Sequence, residues 1–362
     1  MSVTTTATTT TASAPAVEAI FRYEEPDRSV PAEERSFFSR PAPRNLREEK
    51  LTLNDYRTDT KLAKGAEGLH KHGFTVVEHY IDPSAWATEE DILQTYIPAV
   101  QELVETVTGC KTAIVNNVAF RRKKAREYDA DRTFYHPRGG ELDKMISALP
   151  SDRPMSRLTP SFFFSGIILI EPEACSDYVL LDTVVSPQEP ERSLEPARAL
   201  HVDYTLKGLR DTIKYCRADF AEAGAEAIKA HEAGNRGPRV AAYSVWRPLK
   251  TVKRDPIAVL NWKSPGNIHN DLHTFDYRAK GFQGEYLLEA YTISRPQKRE
   301  DHEWYYVSEQ KPHEVMMIKF ADTDSEHDKD VAAAGGHGSP FVVGTEDAEP
   351  RESIEARVLA FW

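Results

Sequence analysis

Two short motifs of this chain carry residues that bind metal ions, His201-Val202-Asp203 and His269-Asn270-Asp271. On a β-strand, residues two positions apart lie on the same face, so a histidine and a carboxylate at this spacing can reach one ion. A further histidine would complete a set of two histidines and one carboxylate on one side of an octahedral ion. This set is typical of mononuclear non-haem Fe(II) oxygenases, because it leaves adjacent positions open for O2 and substrates.

The surroundings of the two motifs favour the first one. About five strand-like segments follow His201 before the terminal segment, as a double-stranded β-helix requires between its early and late ligands. The second motif follows a Pro-Gly-Asn loop signal at 265–267 and has too few strands after it. His269 and His273 have a spacing that would suit a metal on a helix, but the same loop residues disfavour a helix there.

The third ligand must come from a later histidine, and the candidates are His302, His313, His327 and His337. His337 has the expected position, because it opens a strand after a polar, glycine-rich loop. His327 lies among charged and polar residues, which predicts a solvated side chain. His302 precedes three aromatic residues, so it either lines the pocket or packs beside them, and packing is the preferred interpretation.

Composition favours a small-molecule enzyme. The 362 residues are 40% hydrophobic and 28% charged, and the net charge of −11 disfavours nucleic acid as a partner. No apolar run approaches the roughly 20 residues that span a membrane. Three widely spaced cysteines, Cys110, Cys175 and Cys216, indicate neither a disulfide framework nor a zinc site, so we expect a cytoplasmic protein. The sequence makes no prediction of an oligomeric state.

Hydrophobic periodicity predicts a mainly β protein with flanking helices, built on a double-stranded β-helix (jelly-roll, cupin-like) core. A strand is expected over 74–80, followed by a helix that Thr88 caps and Gly109 ends. Further strands are expected at about 178–183, 197–205, 239–247, 256–262, 285–293, 303–308, 314–321, 337–343 and 353–361.

Composition also divides the chain into regions. A Thr/Ala-rich stretch predicts a disordered tail, and a segment of alternating charges, prolines and aromatics is interpreted as an extended arm without regular structure. The predicted regions are a tail at 1–18, an arm at 19–48 and a single domain at 49–362, made of a mixed α/β part at 49–160 and a jelly-roll core at 161–362 with a helical insertion at 206–234.

Two groups of basic residues are candidate anion sites. The run from Arg121 to Lys124 is either a solvated loop or an anion site at a pocket mouth, because it ends a buried segment. Near the C-terminus, Arg351, Ser353 and Arg357 share one face of the last strand. A 2-oxoglutarate cosubstrate requires such a planar cationic fork, preferably with a hydroxyl beside it. Arg351 is preferred over Arg357, and a surface salt bridge is the alternative for either.

Together these residues resemble the gibberellin desaturase-like Fe(II)/2-oxoglutarate oxygenases of fungal and bacterial secondary metabolism, which are related to the cephem 7-methoxylase component. The resemblance covers about residues 70–362. It rests on His201-Val202-Asp203, Val245-Trp246-Arg247-Pro248-Leu249, His302-Glu303-Trp304-Tyr305-Tyr306, His337 and Pro350-Arg351-Glu352-Ser353-Ile354-Glu355-Ala356-Arg357. It implies that His201, Asp203 and His337 bind Fe(II) and that an arginine of the terminal strand binds 2-oxoglutarate, with O2 as the oxidant.

The resemblance implies a dioxygenase that hydroxylates, desaturates or oxidatively cyclises a small secondary metabolite through hydrogen abstraction. The alternatives are an iron oxidase of the same fold that does not use 2-oxoglutarate, and a non-catalytic jelly-roll protein that binds a metabolite. Two departures from the family leave the substrate and outcome open: Ser244 replaces an asparagine, and Gly338-Ser339-Pro340 follows the distal histidine.

Three residues are expected to contact the substrate, Tyr204, Trp246 and Arg247. Trp246 and Arg247 lie on a strand that should reach the cavity. Arg247 would hold a substrate carboxylate or support the cosubstrate, and burial against an acidic side chain is the equal alternative.

Overall fold

The computed structural model describes residues 17–26, 45–122 and 193–362. The strand expected at 178–183, residues 1–16 of the expected tail, and Cys175 lie outside the described residues. No helix in these ranges is long and apolar enough to cross a membrane.

Strands dominate the described residues. They are β1 Val17–Glu25, β2 Asn45–Asp55, β3 Phe74–Glu78, β4 Thr112–Arg121, β5 His201–Val202, β6 Val240–Pro248, β7 Ala258–Leu260, β8 Leu272–Gly281, β9 Gly284–Ile293, β10 Trp304–Tyr306, β11 Glu314–Asp322, β12 His337–Gly338, β13 Phe341–Val342 and β14 Ser353–Phe361. The helices are α1 Gly65–His72, α2 Glu89–Asp91, α3 Ile97–Thr108, α4 Leu206–Tyr215, α5 Ala218–Ala223 and α6 Ala225–Glu232.

These strands form two sheets. The larger sheet has the order β13-β1-β2-β10-β7-β12-β5-β9-β8, and the smaller one has the order β3-β11-β6-β14-β4. Pairing is antiparallel except between β2 and β10. Non-sequential neighbours such as β12 and β5 show that the chain crosses between hairpins, as in a jelly roll. The predicted fold class, a mainly β jelly-roll core with flanking helices, is confirmed.

The outer face of the smaller sheet packs on α3. Ile354, Ala356 and Val358 of β14 are buried in the same apolar cluster as Val100 and Val104 of α3. Because side chains alternate along a strand, Ser353, Glu355 and Arg357 point to the opposite face, toward the larger sheet. The predicted helix boundaries are confirmed, since Thr88 and Asp91 form a capping box and Gly109 is left-handed with φ of 72°.

The prediction that residues 19–48 form an extended arm without regular structure is wrong at both ends of that segment. Val17–Glu25 and Asn45–Asp55 are strands that pair with each other over nine residues. The inward positions Ala19, Phe21 and Tyr23 are fully buried, and the ring of Phe21 lies 4.9 Å from that of Trp304. This alternation of apolar residues is a strand pattern, but the charges and prolines around it conceal the pattern in the sequence.

His302 lies in a buried hydrogen-bonded chain within the larger sheet. The indole N–H of Trp304 donates to the hydroxyl of Tyr23 over 2.9 Å, and that hydroxyl donates to Nδ1 of His302 over 3.0 Å. Nε2 of His302 then donates to Asp271 Oδ2 over 3.1 Å. Each donor has one acceptor, so the chain links β1, β10 and the start of β8 without an unsatisfied group. The packing interpretation of His302 is the one that the structure supports.

Three other expectations need correction. The segment 197–205 is a strand only at His201–Val202, and 337–343 contains two short strands separated by Ser339 and Pro340, since proline has no N–H to donate. The strand β8 was not predicted. It forms a hairpin with β9 across Gly281 and Gly284, and its polar residues conceal it in the sequence.

We expect Phe21→Ala to lower the free energy of unfolding by about 3–5 kcal/mol, because it removes a fully buried ring from the packed sheet. Glu18→Ala in the same strand is the control, because its ion pair with Lys50 is exposed and contributes little. Urea unfolding measures both changes. Equal small effects would show that β1 is a peripheral arm after all.

Candidate metal centre

The three predicted ligands come together between the two sheets. His201 of β5 and His337 of β12 are direct partners in neighbouring antiparallel strands. Asp203 follows β5 by one residue, with its Oδ1 3.5 Å from His201 Nε2 and its Oδ2 4.0 Å from His337 Nε2. One ligand atom from each residue lies within 4.8 Å of the others, and this is the one such group in the parts of the chain that the structure describes.

Backbone carbonyls orient both imidazoles. Nδ1 of His201 lies 2.8 Å from the carbonyl oxygen of Ala199, and Nδ1 of His337 lies 3.2 Å from that of Gly335. Because a carbonyl only accepts, each Nδ1 must carry the proton, and each Nε2 presents its lone pair toward Asp203. Metal-binding histidines are usually oriented in this way. The ring of Phe320 stacks on His337 at 5.3 Å and supports it from behind.

The electrostatics of the site favour the protonation states that a metal ion needs. Burial, with the neighbouring His337, lowers the pKa of His201 to about 4, so its imidazole is neutral at pH 7. Burial by itself would raise the pKa of Asp203, but Arg357 and the two histidines outweigh it and lower that pKa to about 2. Arg357 Nε donates to Asp203 Oδ2 over 3.1 Å. A neutral imidazole at His201 and an ionised carboxylate at Asp203 suit a divalent cation such as Fe(II).

A buried cation without an acceptor lies in the same cavity. Arg351 is 2% exposed and, among the described residues, its Nε and Nη1 have no hydrogen-bond partner. The hydroxyl of Ser353 is also buried and unpartnered within this part of the chain. Burial and the nearby Arg121 lower the pKa of Arg351 to about 9, which still leaves it charged at pH 7. A fork of donors beside a hydroxyl suits the carboxylate of a keto acid, and the residues therefore fit 2-oxoglutarate.

The other predicted arginine of the last strand has a different contact. Arg357 binds Asp203, so it acts on a candidate metal ligand instead of presenting a free fork to the cavity. Trp246 lines the cavity as predicted, and its ring lies 5.1 Å below the guanidinium of Arg351. Trp246, Arg351, His201 and His337 thus line one cavity.

The structure does not place Arg247 in the cavity. It lies on the opposite face of β6 from Trp246, where its Nη1 donates to the carbonyl oxygens of His79 and Pro312 over 2.8 and 2.7 Å. Neither the substrate contact nor the alternative of an acidic partner fits these contacts. The expectation assigned the two neighbouring residues to one face, whereas strand alternation separates them.

Tyr204 is likewise a core residue. It is 1% exposed, accepts a hydrogen bond from Asn116 over 3.3 Å and packs edge-on against Phe320 at 5.7 Å. Since Phe320 stacks on His337, Tyr204 supports the site from behind and does not line the cavity.

The remaining histidine candidates lie elsewhere. His269 packs edge-on against Trp262, His273 contacts the hydroxyl of Ser294 over 3.0 Å, and the ring of His313 stacks on an exposed tyrosine. His327 follows a short 3-10 turn that ends at Glu326.

Sequence reasoning overlooked Glu355 as a cavity residue and left the role of Arg121 open. Glu355 accepts a hydrogen bond from Ser244 over 2.8 Å, and Arg121 Nη2 lies 3.9 Å from its Oε2. Both side chains line the cavity, so the anion-site interpretation of the basic run fits Arg121 better than a solvated loop. Alternation with Ser353 would have indicated Glu355, but Arg121 required knowing that β4 pairs with β14.

Comparisons with known proteins agree with this geometry. A family model described as an oxidoreductase/YMDC permease-like domain, YDMC, matches residues 19–139 and 172–361, which is most of the chain. The chain belongs to this oxidoreductase family.

Its curated relatives include oxidoreductase chry3 of Gibberella zeae, with 28% identity over 86% of this chain and 89% of the relative. The gibberellin cluster GA4 desaturase of Gibberella fujikuroi is also 28% identical, over 84% of this chain and 86% of its own length. The resemblance to gibberellin desaturase-like oxygenases is confirmed.

A solved structure shows the same fold. The iron and alpha-ketoglutarate-dependent endoperoxidase NvfI, whose sequence is from Aspergillus novofumigatus, superposes with a TM-score of 0.61 at 20% identity. The match covers 97% of this chain and 99% of that structure. At 20% identity, this similarity establishes only that the chain has the jelly-roll fold.

We expect His201→Ala, Asp203→Ala and His337→Ala each to weaken Fe(II) binding by more than about 100-fold, because a direct ligand contributes more than the outer partners whose loss costs 10–100-fold. Anaerobic titration calorimetry with Fe(II) measures this effect. His269→Ala and His327→Ala are matched controls and should bind iron normally. Normal iron affinity in His337→Ala would contradict the assignment.

Proposed function

We propose that this protein is a non-haem Fe(II)- and 2-oxoglutarate-dependent oxygenase that oxidises a small secondary metabolite. One observation carries the proposal: Arg351, whose Nε and Nη1 have no hydrogen-bond partner among the described residues, opens into the same cavity as His201 and His337 of the metal-ligand group. A fixed cation and hydroxyl near a metal triad complement a chelating keto acid whose far end is a carboxylate.

Each residue then has a defined task. His201, Asp203 and His337 hold Fe(II), which together with 2-oxoglutarate and O2 supplies the oxidising power for cleavage of a C–H bond. Arg351 and Ser353 bind the distal carboxylate of 2-oxoglutarate. The remaining work of the chain is to orient these groups and to exclude water from them.

Neighbouring side chains supply that orientation. Arg357 holds the carboxylate of Asp203 in place over 3.1 Å, and Glu355 balances the charge of Arg357 and Arg121. Trp246 closes the end of the cavity beneath Arg351, where it removes water from the ion pair.

The reaction outcome is proposed as hydroxylation, desaturation or oxidative cyclisation of a small molecule. Relatives named as hydroxylase/desaturase include efuI of Hormonema carpetanum, which is 29% identical over 86% of this chain. At the two departures from the family pattern, each serine hydroxyl is already hydrogen-bonded within the protein. Ser244 donates to Glu355, and Ser339 Oγ donates to the carbonyl oxygen of Asp255. We place the protein in the cytoplasm, which the wide spacing of Cys110, Cys175 and Cys216 along the sequence favours.

One alternative function conflicts with a particular contact. An iron oxidase without a keto acid would leave the charge of Arg351 buried and, among the described residues, unpaired, which is costly. A non-catalytic protein that binds a metal would also need an ionised Asp203, so turnover is what distinguishes it. Anaerobic addition of Fe(II) and 2-oxoglutarate tests all three, because a chelated keto acid gives a weak visible charge-transfer band. Subsequent O2 should then yield succinate, and the absence of both signals would refute the proposal.

Arg351→Gln should weaken 2-oxoglutarate binding by about 30- to 1,000-fold while iron binding survives, because it leaves one carboxylate of the cosubstrate without its charged partner. Titration of the charge-transfer band with 2-oxoglutarate measures this affinity.

Arg357→Gln is the matched comparison and should have the opposite profile. It loosens Asp203, so we expect about a tenfold loss of iron affinity and a much smaller change for 2-oxoglutarate. If the two variants exchange these profiles, Arg357 is the anchor. If neither changes the 2-oxoglutarate requirement, the cosubstrate assignment fails.

A further inference from the structure

Arg121 lies beside the residues that we assign to the distal carboxylate of 2-oxoglutarate, although it is far from them in sequence. It is the last residue of β4, and its direct partner in the antiparallel pair is Ser353 of β14. Direct partners point to the same face of a sheet, so Arg121 and Ser353 share the face toward the larger sheet. Arg121 and Arg351 also line the same cavity. A second guanidinium group is therefore close to the proposed anchor.

Arg121 is held in place but keeps donors for a ligand. Its Nη1 donates to the carbonyl oxygen of Glu195 over 2.7 Å, and this is its one hydrogen bond within the described parts of the chain. Its Nη2 lies 3.9 Å from Glu355 Oε2, which is too far for a hydrogen bond. The side chain is 15% exposed, and the exposed part faces the cavity that it lines. A ligand in the cavity can therefore reach it.

Arg121 and Arg351 repel each other. The pKa of Arg351 is lowered to about 9, by burial first and by the charge of Arg121 second. Two poorly solvated cations that act on each other destabilise the folded protein unless an anion binds near both. The Nε and Nη1 atoms of Arg351 and the hydroxyl of Ser353 have no partner among the described residues. A bound carboxylate would relieve the repulsion and accept from these donors.

The charges of the cavity also indicate one missing anion. Three arginines line it, Arg121, Arg351 and Arg357. Arg357 pairs with Asp203 at 3.1 Å, and Glu355, which lines the cavity as well, is the carboxylate that acts most strongly on Arg121. Three cations thus face two carboxylates in this part of the described chain. One further carboxylate would balance them.

Asp255 does not supply that carboxylate. It acts on Arg351 from outside the cavity lining, but each of its oxygens already binds another cation. Arg198 Nη2 donates to its Oδ1 over 2.5 Å, and Arg254 Nε donates to its Oδ2 over 3.0 Å. Since two cations share this one carboxylate, the group brings no negative charge to Arg351 or Arg121.

We propose that Arg121 is a second arginine that binds the distal carboxylate of 2-oxoglutarate, together with Arg351 and Ser353, and that it makes the protein selective for dicarboxylic keto acids. This inference rests on the proposed function. The distal carboxylate brings the lining groups to three cations and three anions, and it can accept from both guanidinium groups. A keto acid without that carboxylate leaves two arginines uncompensated and should bind much more weakly.

Anaerobic titration of the Fe(II)-loaded protein with two keto acids tests the proposal, with the charge-transfer band as the measure of affinity. 2-Oxovalerate has a methyl group where 2-oxoglutarate has its distal carboxylate. The unaltered protein should bind 2-oxoglutarate at least about 100-fold more tightly. Arg121→Gln should reduce this preference at least about tenfold, as expected for loss of a charge-assisted hydrogen bond. The affinities for 2-oxovalerate and for Fe(II) should not fall, because neither depends on the distal carboxylate.

Arg122→Gln is the matched control in the next position of the chain. The guanidinium of Arg122 lies 4.2 Å from the ring centre of Phe120 and its Nε lies 3.6 Å from Glu352, and Arg122 does not line the cavity. Both keto-acid affinities should therefore stay unchanged in this variant. Arg121→Lys serves if Arg121→Gln does not fold. It keeps the charge but lacks the fork, so it should reduce the preference about threefold or more.

The two keto acids separate this proposal from its alternatives. Equal weakening of both by Arg121→Gln would assign Arg121 to the metal-binding end of the keto acid and overturn the proposal. An unchanged preference in Arg121→Gln, or in Arg121→Lys where only that variant folds, would overturn it as well. In both cases a band in the unaltered protein would leave the proposed function intact. Absence of any band with 2-oxoglutarate would refute the proposed function, and the role of Arg121 with it.

Discussion

The metal centre depends on the register between β5 and β12. These strands are each two residues long, yet His201 and His337 must be direct partners for their Nε2 atoms to converge. A slip of one residue between the strands would turn His337 away from His201 and Asp203, because side chains alternate between faces. Glycines on both sides of His337 permit the required closeness. A Cβ at Gly336 would lie 2.6 Å from a side-chain carbon of Ile293, and one at Gly338 would lie 2.8 Å from Leu200.

Charge compensation is the second constraint, and among residues 17–26, 45–122 and 193–362 it is incomplete at Arg351. Asp203 and Glu355 each interact with arginines of the cavity. The charged groups around Arg351, in contrast, act on it only from a distance. Burying an unpaired guanidinium destabilises the folded protein, and a core would ordinarily replace it with an apolar residue. A buried guanidinium of this kind, with the unpartnered hydroxyl of Ser353 also in the described part of the chain, is typical of a binding site, where stability is lost in exchange for affinity.

Much of this site could be predicted from the sequence, because its main residues are separated by local, periodic spacings. His201 and Asp203 are two residues apart, and Ser353 and Arg357 share a face four residues apart. The Arg247 assignment failed because it ignored the alternation of side chains along a single strand. Another failure required knowledge of which strands lie side by side. Arg121 enters the cavity only because β4 pairs with β14.

The fold prediction had the same strengths and the same weakness. Strongly apolar segments such as β6 and β14 were predicted nearly to the residue. The strands β1 and β8 were missed, because their one buried face is interleaved with charges that favour loops. Burial of that face depends on partners distant in sequence, which a local pattern does not contain.

The two faces of the smaller sheet have different surroundings, so the sequence alone does not determine the role of a polar residue in one of its apolar strands. Each of β6, β11 and β14 presents one face to the metal-centre cavity and the other to helices and loops. Trp246 and Arg247 are adjacent, yet one borders the cavity while the other binds carbonyl groups on the far side. Lys319 and Phe320 divide in the same way. Arg247 donates to the backbone carbonyl groups of His79 and Pro312, whereas Lys319 forms an ion pair with Asp322, which Arg239 also binds. The contacts of such residues are therefore decided by the acceptors available on their own face, which the local sequence does not show.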